Sequence, residues 1–261
     1  MKLQNINMKK VIDYFNAKLI QITYEKIYRK DSKAPIRYLF YKEETSEVLI
    51  IVFSSLTRKG IPARYNYIRT LQNVKVNKLF ILDDLGPNNR GCYCLGKDND
   101  FSNEINTRDL IEMIKQKYKI NKTIYVGSSK GGWCALNFGL LDYNSEIIVG
   151  ACQYYLGNYF LALPDLRLEE YVFGKNYTNN NIKWLNYKLF NLIKENKEKK
   201  NKVHIHVSDN EHTYDEHVKY LIRDLKNYKY DFDCEILHYK NHGDIVKYFP
   251  KYLLNEISKL I

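Results

Sequence analysis

Short runs of consecutive apolar, often β-branched residues alternate along this chain with longer stretches whose apolar positions recur every three or four residues. The first pattern predicts strands and the second predicts helices, because side chains repeat with those two periods in the two structures. Strands are expected over Ile36 to Lys42, Val48 to Phe53, Lys78 to Leu82, Thr123 to Val126, Glu146 to Ala151, Val203 to Val207 and Asp233 to Tyr239. Helical patterns cover Arg108 to Lys119, Lys130 to Leu141, Tyr214 to Leu225 and Asp244 to Leu260. The runs "VLIIVF" and "IIVGA" are apolar at every position but the glycine. That predicts strands buried on both faces, in a parallel sheet flanked by helices. The alternation of strand and helix predicts an α/β class, with reactive residues at the carboxyl ends of the strands. No internal repeat or Pro/Ser-rich linker divides the chain, so one α/β domain is expected over residues 1–261. Residues 153–200 are less regular and are expected to form a lid or cap inserted into it.

One place breaks the pattern sharply. In "TIYVGSSKGGWCAL", residues 123–136, an apolar run ends in glycines and resumes with helical spacing. Gly127-Ser128-Ser129-Lys130-Gly131 satisfies G-x-S-x-G, with Gly132 behind it. A serine on a tight strand-to-helix turn projects above the sheet, beside the positive end of the helix. Its neighbours two before and two after must be tiny so that strand and helix can pack. The backbone N–H of Lys130 is then placed to stabilise an oxyanion. A glycine-rich turn without chemistry also fits these five residues. A phosphate-binding loop does not, since no Gly-Lys-Ser/Thr follows at the required offset.

Serine needs a base, and the base needs an acid to orient it. Of the histidines, His242 lies just beyond the last expected strand, in "KNHGDIVKYF". His238 falls inside that strand, His204 and His206 share one face of "VHIHV", and His212 and His217 flank a helix start. His242 is the candidate base. Carboxylates follow the preceding strand in "SDNEHTYDEH". Hydrolases built on such a sheet often have a Gly-x-x-acid turn there. Laid on this chain, it puts Ser208 in the glycine place and Glu211 in the acid place, with Asp209 as the alternative acid. The second oxyanion donor is expected from the loop "SSLTRKGIPARYNY", at the backbone N–H of Ser55 or a neighbour. A metal reading would draw on Glu211, His212, His217, His204 and His206. The two helix-start histidines are five apart rather than four, so no metal is expected.

Composition narrows the partners. The 41 basic and 30 acidic residues leave a net charge of +11, which favours anionic polymers, phosphorylated ligands or anionic membrane surfaces. No RNA- or DNA-binding signature accompanies the charge, so nucleic acid is not an expected partner. The apolar runs are too short to span a bilayer, and the N-terminus lacks the apolar stretch of a secretory signal. Five cysteines form no paired framework or zinc spacing, which suits a reduced, cytoplasmic setting, with peripheral attachment to the inner membrane face left open.

The segments "IVFSSLTRKGIPARYNYIRTL", "NKLFILDDLGPNNRGCYCLG", "YVGSSKGGWCALNFG", "GACQYYLGNY", "SDNEHTYDEH" and "KNHGDIVKYF" resemble the α/β-hydrolase superfamily from Ile36 to the final helix. Within it they look most like bacterial capsular polysaccharide O-acetyltransferases and the acetyltransferase component of the accessory Sec system. The resemblance implies Ser129 as acyl-enzyme nucleophile, His242 as base and Glu211 as acid. It also implies acetyl-CoA as acyl donor and a surface polysaccharide as acceptor. No HGGG-type oxyanion motif is present. A carboxylesterase or deacetylase of the same fold, or a non-catalytic partner in glycan assembly, are the alternatives.

Overall fold

The computed structural model describes residues 23–30, 34–163 and 165–261. Its strands are β1 (Lys26–Tyr28), β2 (Ile36–Tyr41), β3 (Val48–Phe53), β4 (Asn77–Leu82), β5 (Lys122–Ser128), β6 (Glu146–Gly150), β7 (Lys202–Ser208) and β8 (Asp231–Leu237). They form one sheet in the order β1-β2-β4-β3-β5-β6-β7-β8. The pairs β1/β2 and β2/β4 are antiparallel, and every pair from β4/β3 to β7/β8 is parallel. The interior strands are the apolar runs of the sequence: five of the six residues of β3 and four of the five of β6 are buried. Edge strand β8 has one neighbour, and all its residues are exposed or half-buried.

The helices are α1 (Ser102–Lys117), α2 (Lys130–Gly139), α3 (Leu156–Leu161), α4 (Leu168–Phe173), α5 (Asn179–Glu195), α6 (Lys219–Asn227) and α7 (Ile245–Leu260). All ten residues of α2 are buried, because it packs over β3, β5 and β6. Among the described residues of 153–200 are three α-helices, α3, α4 and α5, and Leu156, Phe160, Leu168, Val172, Leu185, Leu189 and Ile193 join the same apolar core as the sheet.

Three departures from the sequence pattern have physical causes. Helix α1 begins six residues before the expected Arg108. Its first turns bury polar side chains instead: Asn106 donates to Ala34 O at 3.0 Å, and Glu104 accepts from Asn137 at 2.8 Å. Strand β1 is short and polar, and it forms through main-chain pairing with β2. The helix expected from Tyr214 opens with a π turn, Tyr214–Val218, before α6.

Chain order places the crevice. From β3 the chain moves to one side, to β4, and then crosses to the other side, to β5. The loops after β3 and β5 therefore part in opposite directions, and the gap at their carboxyl ends is where open α/β sheets bind ligands.

Candidate active site

Ser129 is the single residue between β5 and α2, with φ 51° and ψ −123°. A non-glycine residue there stores about 1–3 kcal/mol of strain. Main-chain bonds hold it. Its N–H donates to Gly150 O at 2.8 Å, and its carbonyl accepts from the N–H groups of Gly132 (2.9 Å) and Trp133 (3.1 Å). The flanking glycines are required by contact rather than by conformation. A Cβ at Gly127 would lie 2.1 Å from Gly131 O, and one at Gly131 would lie 2.5 Å from Phe53 O.

His242 sits in a 3-10 turn, His242–Asp244, between β8 and α7. Its Nε2 lies 2.9 Å from Ser129 Oγ, and its Nδ1 lies 3.1 Å from Glu211 Oε2. Glu211 is 3% exposed. Its carboxylate also accepts from Thr213 N–H at 3.2 Å and from the Thr213 hydroxyl. Burial pushes the Glu211 carboxyl up, but the hydrogen bonds from His242 and Thr213 outweigh that and hold it below its ordinary value. An ionised Glu211 can only accept, so Nδ1 carries the imidazole proton and the Nε2 lone pair faces the Ser129 hydroxyl. Ser129, His242 and Glu211 are thus brought into one hydrogen-bonded line. Asp209 is outside it, bonded to His238 Nδ1 at 2.7 Å on the exposed side.

The two expected oxyanion donors fare differently. Lys130 heads α2, where a backbone N–H has no intrahelical acceptor. Its side chain turns inward and is 0% exposed. Nζ pairs with Asp83 Oδ2 at 2.7 Å and lies 3.4 Å from Ser54 Oγ. The Asp83 carboxylate also accepts from the N–H groups of Cys92 (3.0 Å) and Cys94 (3.1 Å). Burial works against the Lys130 charge, but Asp83 overrides it and raises the ammonium above its ordinary value. The N–H of Ser55 donates to Asn66 Oδ1 at 2.8 Å, so this amide already has an acceptor. Asn66 returns from eleven residues along the same loop, and nothing in the local sequence signals it.

One residue beside Ser129 was not expected. Gln153, fully buried three residues past the end of β6, directs Nε2 to Ser129 Oγ at 3.3 Å. Its one sequence signal is a polar residue at the carboxyl end of a strand next to the serine's own.

The remaining histidines each meet different partners. His204 contacts Glu146 (2.9 Å), Asp233 (2.7 Å) and Glu256 (3.4 Å), and His206 bonds Glu235 at 2.7 Å. His217 Nδ1 accepts the Tyr155 N–H at 3.3 Å. Among the described residues, two groups bring ligating atoms close enough to hold a cation. They are His204 with Asp233 and Glu256, and His212 with Glu211 and His242. In the second, His242 already bridges Ser129 and Glu211. Among the described residues no helix is long and apolar enough to cross a membrane.

Neither a family model nor a curated protein sequence matches this chain. Solved structures do. The capsule O-acetyltransferase of Neisseria meningitidis serogroup A superposes with a TM-score of 0.72 at 25% identity, over 85% of this chain and 91% of that one. A variant of that enzyme has been solved in complex with CoA. The glycosylation-associated Gap123 complex of Streptococcus agalactiae gives 0.74 at 16% identity, over 90% of this chain and 46% of that one. A fluorophosphonate-binding serine hydrolase of Staphylococcus aureus gives 0.58 at 11% identity, over 90% and 96%. The α/β-hydrolase fold expected from the sequence is therefore the fold of this chain, and acyl chemistry recurs among the proteins that share it.

Proposed function

We propose that this chain is a serine O-acyltransferase that moves an acetyl group from acetyl-CoA to a hydroxyl of a bacterial surface polysaccharide. The observation that carries the reading is the line from Ser129 Oγ through His242 to the buried Glu211, at 2.9 and 3.1 Å. In the first half-reaction Ser129 Oγ bonds to the thioester carbon while its proton passes to His242 Nε2. The C–S bond then breaks, and His242 returns the proton to the departing thiolate. In the second half, His242 takes the proton of a sugar hydroxyl as its oxygen attacks the acetyl-Ser129 carbonyl; the C–Oγ bond then breaks and His242 returns the proton to Ser129 Oγ. Glu211 holds the ring and stabilises the imidazolium that forms in each half. Residues 153–200, whose first member touches Ser129 Oγ, serve in this reading as the cover of the site.

Two further points support transfer over hydrolysis. The net charge of +11 suits a phosphorylated donor and an anionic polymer. The capsule O-acetyltransferase and its CoA complex are among the similar structures. A cytoplasmic site of action follows, since acetyl-CoA is made and used there.

The test is intact-protein mass spectrometry after brief incubation with acetyl-CoA or with p-nitrophenyl acetate, with Ser129→Ala as control. A gain of one acetyl group from acetyl-CoA, absent in Ser129→Ala, is the expected result. Labelling by the ester alone would move the assignment to a carboxylesterase or deacetylase. No labelling by either donor would leave a non-catalytic role in glycan assembly.

A further inference from the structure

Acyl transfer through a serine generates an oxyanion that needs two donors, and one of the two expected is already engaged. The Ser55 N–H is bonded to Asn66, which leaves the Lys130 N–H at the head of α2 as the backbone donor. A second buried donor is nevertheless at hand. We propose that the side-chain amide of Gln153 is the second oxyanion donor of this site, held in its donating orientation by Tyr93. This rests on the serine acyl-transfer reading above.

The amide orientation follows from proton count. Ser129 Oγ has one proton, and His242 Nε2, 2.9 Å away with its lone pair toward Oγ, accepts it. Oγ can then only accept from Gln153, so the group facing it at 3.3 Å is the NH2 and not the carbonyl. The carbonyl of Gln153 faces the Tyr93 hydroxyl, which donates to Oε1 at 3.4 Å. Tyr93 is itself fully buried, with its ring packed edge-on against Trp133 at 5.7 Å and tilted against Phe160 at 5.3 Å. Its backbone is pinned from both sides, because the N–H groups of Cys92 and Cys94 bond the Asp83 carboxylate that pairs with Lys130. The ion pair thus ties the residue after the nucleophile to the residue that orients Gln153.

The chemistry uses this arrangement in one step. As Oγ bonds to the carbonyl carbon, the π pair moves onto the carbonyl oxygen and the Oγ proton moves to His242. The new oxyanion is two bonds from Oγ, so a donor touching Oγ at rest needs a small shift to reach it. The Gln153 amide and the Lys130 N–H bind the oxyanion until the carbonyl re-forms, the bond to the leaving group breaks and His242 protonates the leaving atom. Donors that strengthen as charge develops accelerate the step, and losing one costs about 10²–10³ in rate in other enzymes.

The experiment measures the first-turnover acylation of Ser129 by p-nitrophenyl acetate and by p-nitrophenyl thionoacetate. Sulfur accepts hydrogen bonds poorly, so a working oxyanion site favours the oxygen ester. Gln153→Met, which keeps length and burial, is expected to acylate about 10²-fold more slowly with the oxygen ester, at unchanged KM and melting temperature, and to lose most of the oxygen-over-sulfur preference. Tyr93→Phe, which keeps the ring packing, is expected to fall between wild type and Gln153→Met. Wild-type rates in Gln153→Met, or equal losses on both esters, would overturn the proposal and reduce Gln153 to packing. If wild type is acylated by the ester but not by acetyl-CoA, the transferase reading fails and the role of Gln153 stands. If wild type is acylated by neither donor, both fall together.

Discussion

Glu211 and Asp209 differ by two positions and end in opposite environments. Asp209 follows β7 directly and turns outward to His238, whereas Glu211 turns inward and accepts from His242 and Thr213. Glu211→Gln is therefore expected to lower the rate of Ser129 acylation by about 10³–10⁴, since a neutral amide cannot stabilise the imidazolium or enforce its tautomer. Asp209→Asn should leave that rate within about twofold, and steady-state turnover of p-nitrophenyl acetate separates the two. His217 makes stability depend on pH. Burial, with further pressure from His212 and His242 against a smaller pull from Glu211, drives its imidazole down to about 4 from 6.5. The folded ring stays neutral where the unfolded chain takes up a proton, so stability falls as pH falls between those values. The loss is up to about 3 kcal/mol, since each pH unit between them is worth about 1.4 kcal/mol. Urea titrations at several pH values should show a shallower fall in His217→Asn. His204 is pushed the opposite way by Glu146, Asp233 and Glu256 despite its burial, and that contribution is common to both proteins. The hydrogen-bonded line of Ser129, His242 and Glu211 was legible in the sequence because each residue lies within five residues of the carboxyl end of a strand, in a recognisable turn or loop. Asn66 and Gln153 were not, because their roles rest on contacts across 11 and 24 residues that leave no local pattern.

At the level of elements, the elbow works because three backbones meet with no room for a methyl group. Gly131→Ala would put its Cβ 2.5 Å from Phe53 O and 3.3 Å from Ser54 O, both at the end of β3. Neither atom can yield without shifting the end of β3. The expected cost is about 1–3 kcal/mol of stability, read as a lower denaturant midpoint at constant m-value, together with a loss of acylation larger than the loss of folded protein. The buried pair beneath the elbow gives a related expectation. Lys130→Met leaves the Asp83 carboxylate uncompensated at 2% side-chain exposure and is expected to cost about 3–5 kcal/mol. The same elements show why the fold was readable where it was. β3, β5 and β6 are buried on both faces, so apolarity alone marks them. The first turns of α1 and all of β1 rest on polar side-chain bonds or main-chain pairing, which hydrophobic periodicity cannot register. The Lys130–Asp83 pair escaped for a similar reason: in sequence Lys130 reads as a surface charge at a helix start, and only the fold puts it in the core.

The charge of the whole molecule separates the two acyl donors. With 41 basic and 30 acidic residues, the protein presents a field that attracts the phosphates of acetyl-CoA and does nothing for a neutral ester. That field reaches about 30 Å at 0.01 M ionic strength and about 3 Å at 1 M. The KM for acetyl-CoA is therefore expected to rise severalfold as salt is raised across that range, while kcat/KM for p-nitrophenyl acetate stays nearly flat. In the proposed reaction both donors acylate Ser129 by the same proton transfers, so the ester is an internal control for any effect of salt on folding or on His242. A parallel rise for both donors would trace the salt effect to the site itself and remove charge from the case for acetyl-CoA. Divergence between them would assign the basic surface to donor capture. It would also predict that an anionic acceptor polymer competes with acetyl-CoA at low salt and ceases to compete at high salt.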